Sequence, residues 1–242
     1  MLGSRVDGGH RILAHWIAIL AADPLEKKAK GGDKEAKETL DLLQRALALL
    51  RAGKSARLLA RKPEEEKAFH ALGLITSLPV LYVCNVDEGS AAAGNEFSRQ
   101  VEACAQAEGA GSVTISAKIE SEIAALPPAE RADYLAAVGL KEPGLNRLIR
   151  AGYALLNLFT FFTAGPKEAR AWTVRRGMRA PQAAGTIHTD FEKGFIRAET
   201  ISYDDYVACG GENGAKEAGK MRLEGKDYVV ADGDVMHFRF AT

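Results

Sequence analysis

The chain of 242 residues is poor in cysteine: Cys84, Cys104 and Cys209 stand far apart, at separations that fit neither a disulfide framework nor paired zinc knuckles. They read as free thiols of a reducing compartment. Metal-ligand spacing is lacking as well. The five histidines, His10, His15, His70, His188 and His237, form no helical ligand pair and no H-E-x-x-H run, so no metal site built by this chain alone is expected. Net charge is absent, since 32 lysines and arginines balance 32 aspartates and glutamates. A nucleic acid or an anionic membrane would have to be met by a local patch. Long hydrophobic runs are missing too. Residues 12–22 are apolar, but a bilayer span needs about 20 such residues. Lys27, Lys28 and Lys30 follow closely, so the segment reads as a surface helix or a disordered start rather than a signal peptide, and a cytoplasmic location is expected. A phosphate loop is also lacking. Gly53-Lys54-Ser55 imitates its end, but G-x-x-x-x-G-K-[ST] requires glycine where Ala48 stands, and a strand before it.

What is present is a globular composition, 47% apolar and 26% charged, at a length that fits one large domain or two modest ones. Its charges are unevenly spread: residues 24–71 are net +4, residues 72–150 net −4, and residues 151–242 neutral. In the basic part, Leu40, Leu43, Leu47 and Leu50 set a leucine seam at helical spacing. Gly53 is a stop, Arg57 to Leu59 resumes a helix, and Phe69, Leu72 and Ile75 share a later face after Pro63. Two long helices joined at the Gly53 turn predict an antiparallel hairpin with a basic tip at Lys54, Arg57, Arg61 and Lys62, a candidate nucleic-acid contact or a solvated face.

Pro79 to Cys84 (P-V-L-Y-V-C) reads as a strand of a parallel sheet buried on both faces. Asn95 can cap a helix whose apolar face is Phe97, Val101 and Cys104. Val113 to Ser116 is a second strand, and Ile119 to Val138 a second helix broken by Pro127 and Pro128. Two strands are too few for such a sheet, which predicts uncovered apolar faces. From Leu155 onward the texture is of short strands, namely L-L-N-L-F-T-F-F-T, A-W-T-V-R-R, F-I-R-A-E-T-I-S, D-Y-V-V and V-M-H-F-R-F, with a helix over Pro181 to Phe191. This is the β-β-α-β order of a small β-grasp module with a mixed sheet.

Chemistry concentrates at the two strand ends. Asn85-Val86-Asp87-Glu88 follows the first strand, where an amide can tie loops together or meet a purine and a carboxylate can accept from its N–H groups. Ser116-Ala117-Lys118 follows the second strand on the same sheet edge. In the β-grasp module, Arg175, Arg176 and Arg179 are either an edge that contacts RNA phosphates or ordinary solvation and edge protection. His188 and His237 have apolar neighbours and read as packed side chains.

Through L-E-K-K-A-K-G-G-D-K-E-A, L-L-R-A-G-K-S-A-R, P-V-L-Y-V-C-N-V-D-E, S-A-K-I-E-S-E-I-A, F-T-A-G-P-K-E-A-R-A-W, G-T-I-H-T-D-F-E-K-G-F-I-R-A-E and D-G-D-V-M-H-F-R-F, the chain from Pro24 to Thr242 resembles the Obg-like ATPases, the YchF group of P-loop proteins. The resemblance implies a fold that is α/β plus α+β. It comprises a helical coiled-coil hairpin (24–76), the C-terminal part of a P-loop NTPase-type nucleotide-binding (G) domain (77–149) and a β-grasp TGS domain (150–242), after a leader of residues 1–23 that resembles nothing in the family. That leader would fit a frameshift or a misplaced start. The resemblance further implies ATP as the nucleotide, with some GTP, and ribosome binding as the partner. Related GTPases carry N-K-x-D, whereas this group resembles N-x-x-E and prefers ATP. Asn85 and Glu88 then occupy the motif's ends, the Val86 backbone meets the adenine, and Ser116, Ala117 and Lys118 form the second base loop. The family's phosphate loop, switches and Mg2+ ligands precede the coiled coil, and nothing here corresponds to them. The missing N-terminal part of the G domain is therefore a candidate partner, and a non-catalytic ribosome or RNA-binding module is the alternative.

Overall fold

The computed structural model describes residues 24–166 and 168–241, and the reading of residues 1–23 as a leader lies outside them. The described chain divides into two compact units that part between Ala151 and Gly152.

In the first unit, residues 24–30 are helical, the chain turns at Gly31, Gly32 and Asp33, and helix α1 (Lys34–Arg51) follows. Gly32 takes the turn at φ +93°, a conformation that costs a side chain dearly. The Asp33 carboxylate accepts from the Ala36 amide at 3.1 Å and caps α1. The helical turn-around thus lies at residues 31–33 and not at Gly53. Gly53 does end α1, but no second long arm follows. Ala56–Leu58 and Pro63–Glu65 form only 3-10 turns, and helix α2 (Glu66–Ala71) has six residues. Proline holds Lys62 extended, and Ala56 and Leu59 are drawn inward before a helix can lengthen. The buried stripe of α1 is Leu42, Leu43, Ala46 and Leu50, with Leu40 and Leu47 only half-buried; it packs on Ala56, Leu59, Phe69 and Leu74, with Leu25 alongside.

Strands β1 (Leu81–Asn85) and β2 (Gly111–Ile115) are parallel, Leu81 facing Gly111 and Asn85 facing Ile115. Helix α3 (Glu96–Ala107) connects them and packs on both. The expectation of a strand buried on both faces fails: Val83 is 46% exposed, because among the described residues β1 has one neighbouring strand. The face assigned to α3 is also corrected. Phe97 is 74% exposed and Cys104 is exposed, and the helix instead buries Ser98 and Ala105. Helices α4 (Ala117–Ala125) and α5 (Arg131–Ala137) follow, with the break at the two prolines, and bury Ile119, Ile123 and Leu135 with Ala91. Helix α6 (Gly144–Leu155) leads into the second unit.

There, β3 (Leu158–Ala164) and β4 (Ala169–Arg175) form a hairpin, helices α7 (Ala180–Ile187) and α8 (Thr189–Lys193) cross over, and β5 (Phe195–Ser202) follows. Short helices α9 (Tyr203–Ala208) and α10 (Glu212–Glu217) precede β6 (Arg222–Glu224) and β7 (Asp234–Phe240). The sheet order is β4-β3-β7-β5-β6, with β3 and β7 parallel and the other pairs antiparallel. Phe159, Phe161, Met236, Phe238 and Ala198 point from one face onto Ala180, Ala183 and Ala184 of α7. D-Y-V-V is not a strand: Val229 makes an isolated bridge to Arg179, and the Tyr228 hydroxyl turns instead to the buried Asp234 carboxylate at 2.7 Å.

Candidate functional site

The chain leaves β1 at Asn85 and β2 at Ile115, neighbours in the parallel register, so the two following loops meet at one end of the sheet. The Asn85 side-chain carbonyl accepts from the Ala117 amide at 2.9 Å and ties the loops together. Val86 donates its N–H to the Ile115 carbonyl at 2.9 Å. The Lys118 ammonium reaches across to the Glu88 carboxylate at 2.9 Å, with both side chains open to solvent, and this hydrogen bond raises the lysine pKa above its ordinary value. Ser116 is buried and its hydroxyl has no partner among the described residues. Asp87 is occupied locally, accepting from the Ser90 amide at 2.9 Å. The fold thus brings Asn85, Val86, Glu88, Ser116, Ala117 and Lys118 to one place.

Two supporting groups carry no sequence signal of their own. Glu120 of α4 accepts from the first amides of α6, Gly144 at 2.6 Å and Leu145 at 3.2 Å, an anion on a helix N-terminus that anchors the second loop's helix. Tyr134 bonds to Glu122, and that bond, with burial and the carboxylates of Glu122 and Glu88, pushes its phenol up to about 12.

Other candidates are reassigned. Arg57 is not free for nucleic acid: its guanidinium is bound to the Glu108 carboxylate at 3.1 Å and the Glu108 carbonyl at 2.9 Å, in a pair only 11% and 18% exposed. Arg61 is held by Glu66 at 2.5 Å and lies over the Phe69 ring, leaving Lys54 and Lys62 as the exposed cations of that segment. In the second unit, Arg176 pairs with Asp232 at 3.7 Å and Arg179 with Asp227 at 2.6 Å; Arg175 is exposed without a carboxylate partner among the described residues. His188 and His237 are not buried. His188 is 61% exposed and its Nδ1 accepts from the Asp190 amide at 3.2 Å, while His237 is exposed on β7. All three cysteines are free thiols, and burial pushes that of Cys84 up.

A family model described as "YchF-GTPase_C: Protein of unknown function (DUF933)" matches residues 158–241. The chain is 54% identical over 220 residues to the ribosome-binding ATPase YchF of Haemophilus influenzae, covering 91% of this chain and 60% of that protein. It is 50% identical over 218 residues to the ribosome-binding ATPase YchF of Bacillus subtilis, covering 89% and 60%. The solved structure of the Schizosaccharomyces pombe YchF GTPase aligns with a TM-score of 0.77 at 27% identity, covering 99% of this chain and 68% of that one. The chain therefore spans about 60% of the length of the curated relatives it matches.

Proposed function

We propose that this chain, which belongs to the YchF/Obg-like ATPase family, supplies the adenine-facing side of a nucleotide site together with a ribosome-binding module, and does not transfer phosphate alone. In this reading, residues 24–76 are the base of a coiled-coil arm, 77–149 the C-terminal part of the nucleotide domain and 150–242 a TGS domain. Ribosome binding is proposed because the two bacterial relatives are named for it.

The observation that carries the nucleotide reading is the tie between the two loops, Asn85 to Ala117 and Glu88 to Lys118. Adenine offers an exocyclic amine as its donor. The Val86 N–H is spent on Ile115, so the Val86 carbonyl is the backbone group left to accept from that amine. Glu88 is a second acceptor within the same opening, and the Lys118 ammonium, 2.9 Å away, holds its carboxylate in place. Asn85 fixes the loop spacing that a flat ring needs.

Phosphoryl transfer depends on positioning the phosphates and neutralising their charge. At these strand ends the donor set is an amide already used by a backbone N–H, a carboxylate paired with lysine, and an aspartate capping its own turn. That set fits a base and fits neither a triphosphate nor its Mg2+.

Saturation-transfer NMR tests the reading, because it detects weak ring contacts. The adenine protons of ATP should receive saturation from the chain, GTP should compete poorly, and Glu88→Ala should abolish the transfer. Equal transfer to ATP and GTP, unchanged in Glu88→Ala, would contradict it.

A further inference from the structure

In the second unit, three metal-ligating side chains converge on the sheet face opposite the phenylalanine core. Along β5, Ala198 and Thr200 are fully buried, so the alternation of a strand turns Glu199 the other way. His237 of β7 is its direct cross-strand partner. Glu212 arrives from the first turn of α10, and one ligand atom from each of the three lies within 4.8 Å of the others. The same residues, with Tyr206 and Met221, line a cleft of about 10 Å³. That is close to the least space that holds one water-sized body.

The charges of this group are incompletely balanced. Glu199 is half-buried and accepts two hydrogen bonds from Arg239, at 3.3 and 3.1 Å. Glu212 is also half-buried and has no cationic partner among the described residues, although it faces a second carboxylate. A cation between the two carboxylates would neutralise both. Arg239 satisfies only the first.

We propose that Glu199, Glu212 and His237 form a binding site for one divalent transition-metal ion, of the class that accepts mixed imidazole and carboxylate ligands, with Zn2+ as the representative. Three protein ligands leave a fourth tetrahedral position open. Arg239 then acts from behind the ligand shell, orienting Glu199 as hydrogen-bonded outer groups do in metal sites. Ligand atoms about 2.1 Å from a tetrahedral ion stand about 3.4 Å from one another, so the three atoms, mutually within 4.8 Å here, have to close in on the ion. The site joins β5, β7 and α10, so its occupation would clip the α9–α10 segment to the sheet.

The test is calorimetric titration of the chelator-treated chain with Zn2+, together with the visible spectrum of the Co2+ form. One equivalent should bind, His237→Ala and Glu212→Gln should each weaken binding more than about tenfold, and Co2+ should give ligand-field bands without a thiolate charge-transfer band. Both variants change solvent-accessible side chains, and their unchanged circular dichroism would establish that they fold. Absence of binding overturns the proposal. Binding indifferent to both substitutions, or a thiolate band assigning the ion to cysteine, overturns it equally.

Discussion

Arg57 shows how a single residue can be visible in a sequence and still be misread. Its neighbours Lys54, Arg61 and Lys62 make a basic cluster, but 51 positions later Glu108 claims it at 3.1 Å, and a pair so distant in sequence has no periodic signature. Tyr82 also donates to that carboxylate at 3.0 Å. Replacing Arg57 with alanine removes a largely buried guanidinium together with its hydrogen bonds to the Glu108 carboxylate and carbonyl, and should destabilise the first unit by about 2 kcal/mol in denaturant unfolding. A change under about 0.5 kcal/mol would reclassify the pair as an ordinary surface bridge. Asn85 was legible for the opposite reason: its role depends on a strand end, which the apolar run marks, so a tie between adjacent loops could be foreseen and is found to Ala117. Glu199, Glu212 and His237 were invisible as a group because spacing rules detect ligands on one element, and these come from three.

At the scale of elements, strands with a continuous apolar or alternating pattern were readable, as was α1 from its leucines. The arm after Gly53 was not. Leucine and phenylalanine spacing there satisfies a helix, while Pro63 and the inward pull on Ala56 and Leu59 allow only short turns. D-Y-V-V has strand composition, yet Tyr228 serves a polar cluster in which Asp234, 3% exposed, accepts from the tyrosine hydroxyl, Arg222 and the Ala231 amide. Burial and the bond to Asp234 push the Tyr228 phenol up to about 12. A raised folded-state pKa contributes stability fully below the unfolded value of about 10. That contribution is lost as pH rises through about 12. The second unit should therefore lose stability across that alkaline window, and Tyr228→Phe should flatten the dependence there; an identical pH profile for the variant would refute the assignment. Close packing sets another expectation. A Cβ on Gly194 would lie 2.0 Å from the Ala241 carbonyl oxygen, so Gly194→Ala must displace backbone where α8 meets the end of β7. A cost above about 2 kcal/mol is expected in thermal unfolding of the second unit, and an unchanged midpoint would contradict it.

For the whole molecule, the contrast between the two units matters most. The second has a five-stranded sheet with a core of its own, whereas the first carries a two-stranded parallel sheet with Val83 46% exposed. Parallel sheets are stable when both faces are covered. Limited proteolysis should therefore leave a resistant fragment beginning near residue 150 while the first unit is cut; loss of both at equal rates would argue against independent folding of the second. Arg175, without a carboxylate partner among the described residues, and the paired Arg176 and Arg179 are the proposed phosphate contacts on that unit. Ribosome co-sedimentation should weaken with salt and fall in the triple alanine variant. Equal pelleting of both proteins would remove those contacts. None of this requires phosphate chemistry from the chain, whose strand-end loops are proposed to face a base and no phosphate. Phosphate release from ATP by the purified chain, measured with and without ribosomes, tests that most directly. Release indistinguishable from the buffer blank is expected in both conditions, and release above the blank that disappears in Glu88→Ala would contradict it.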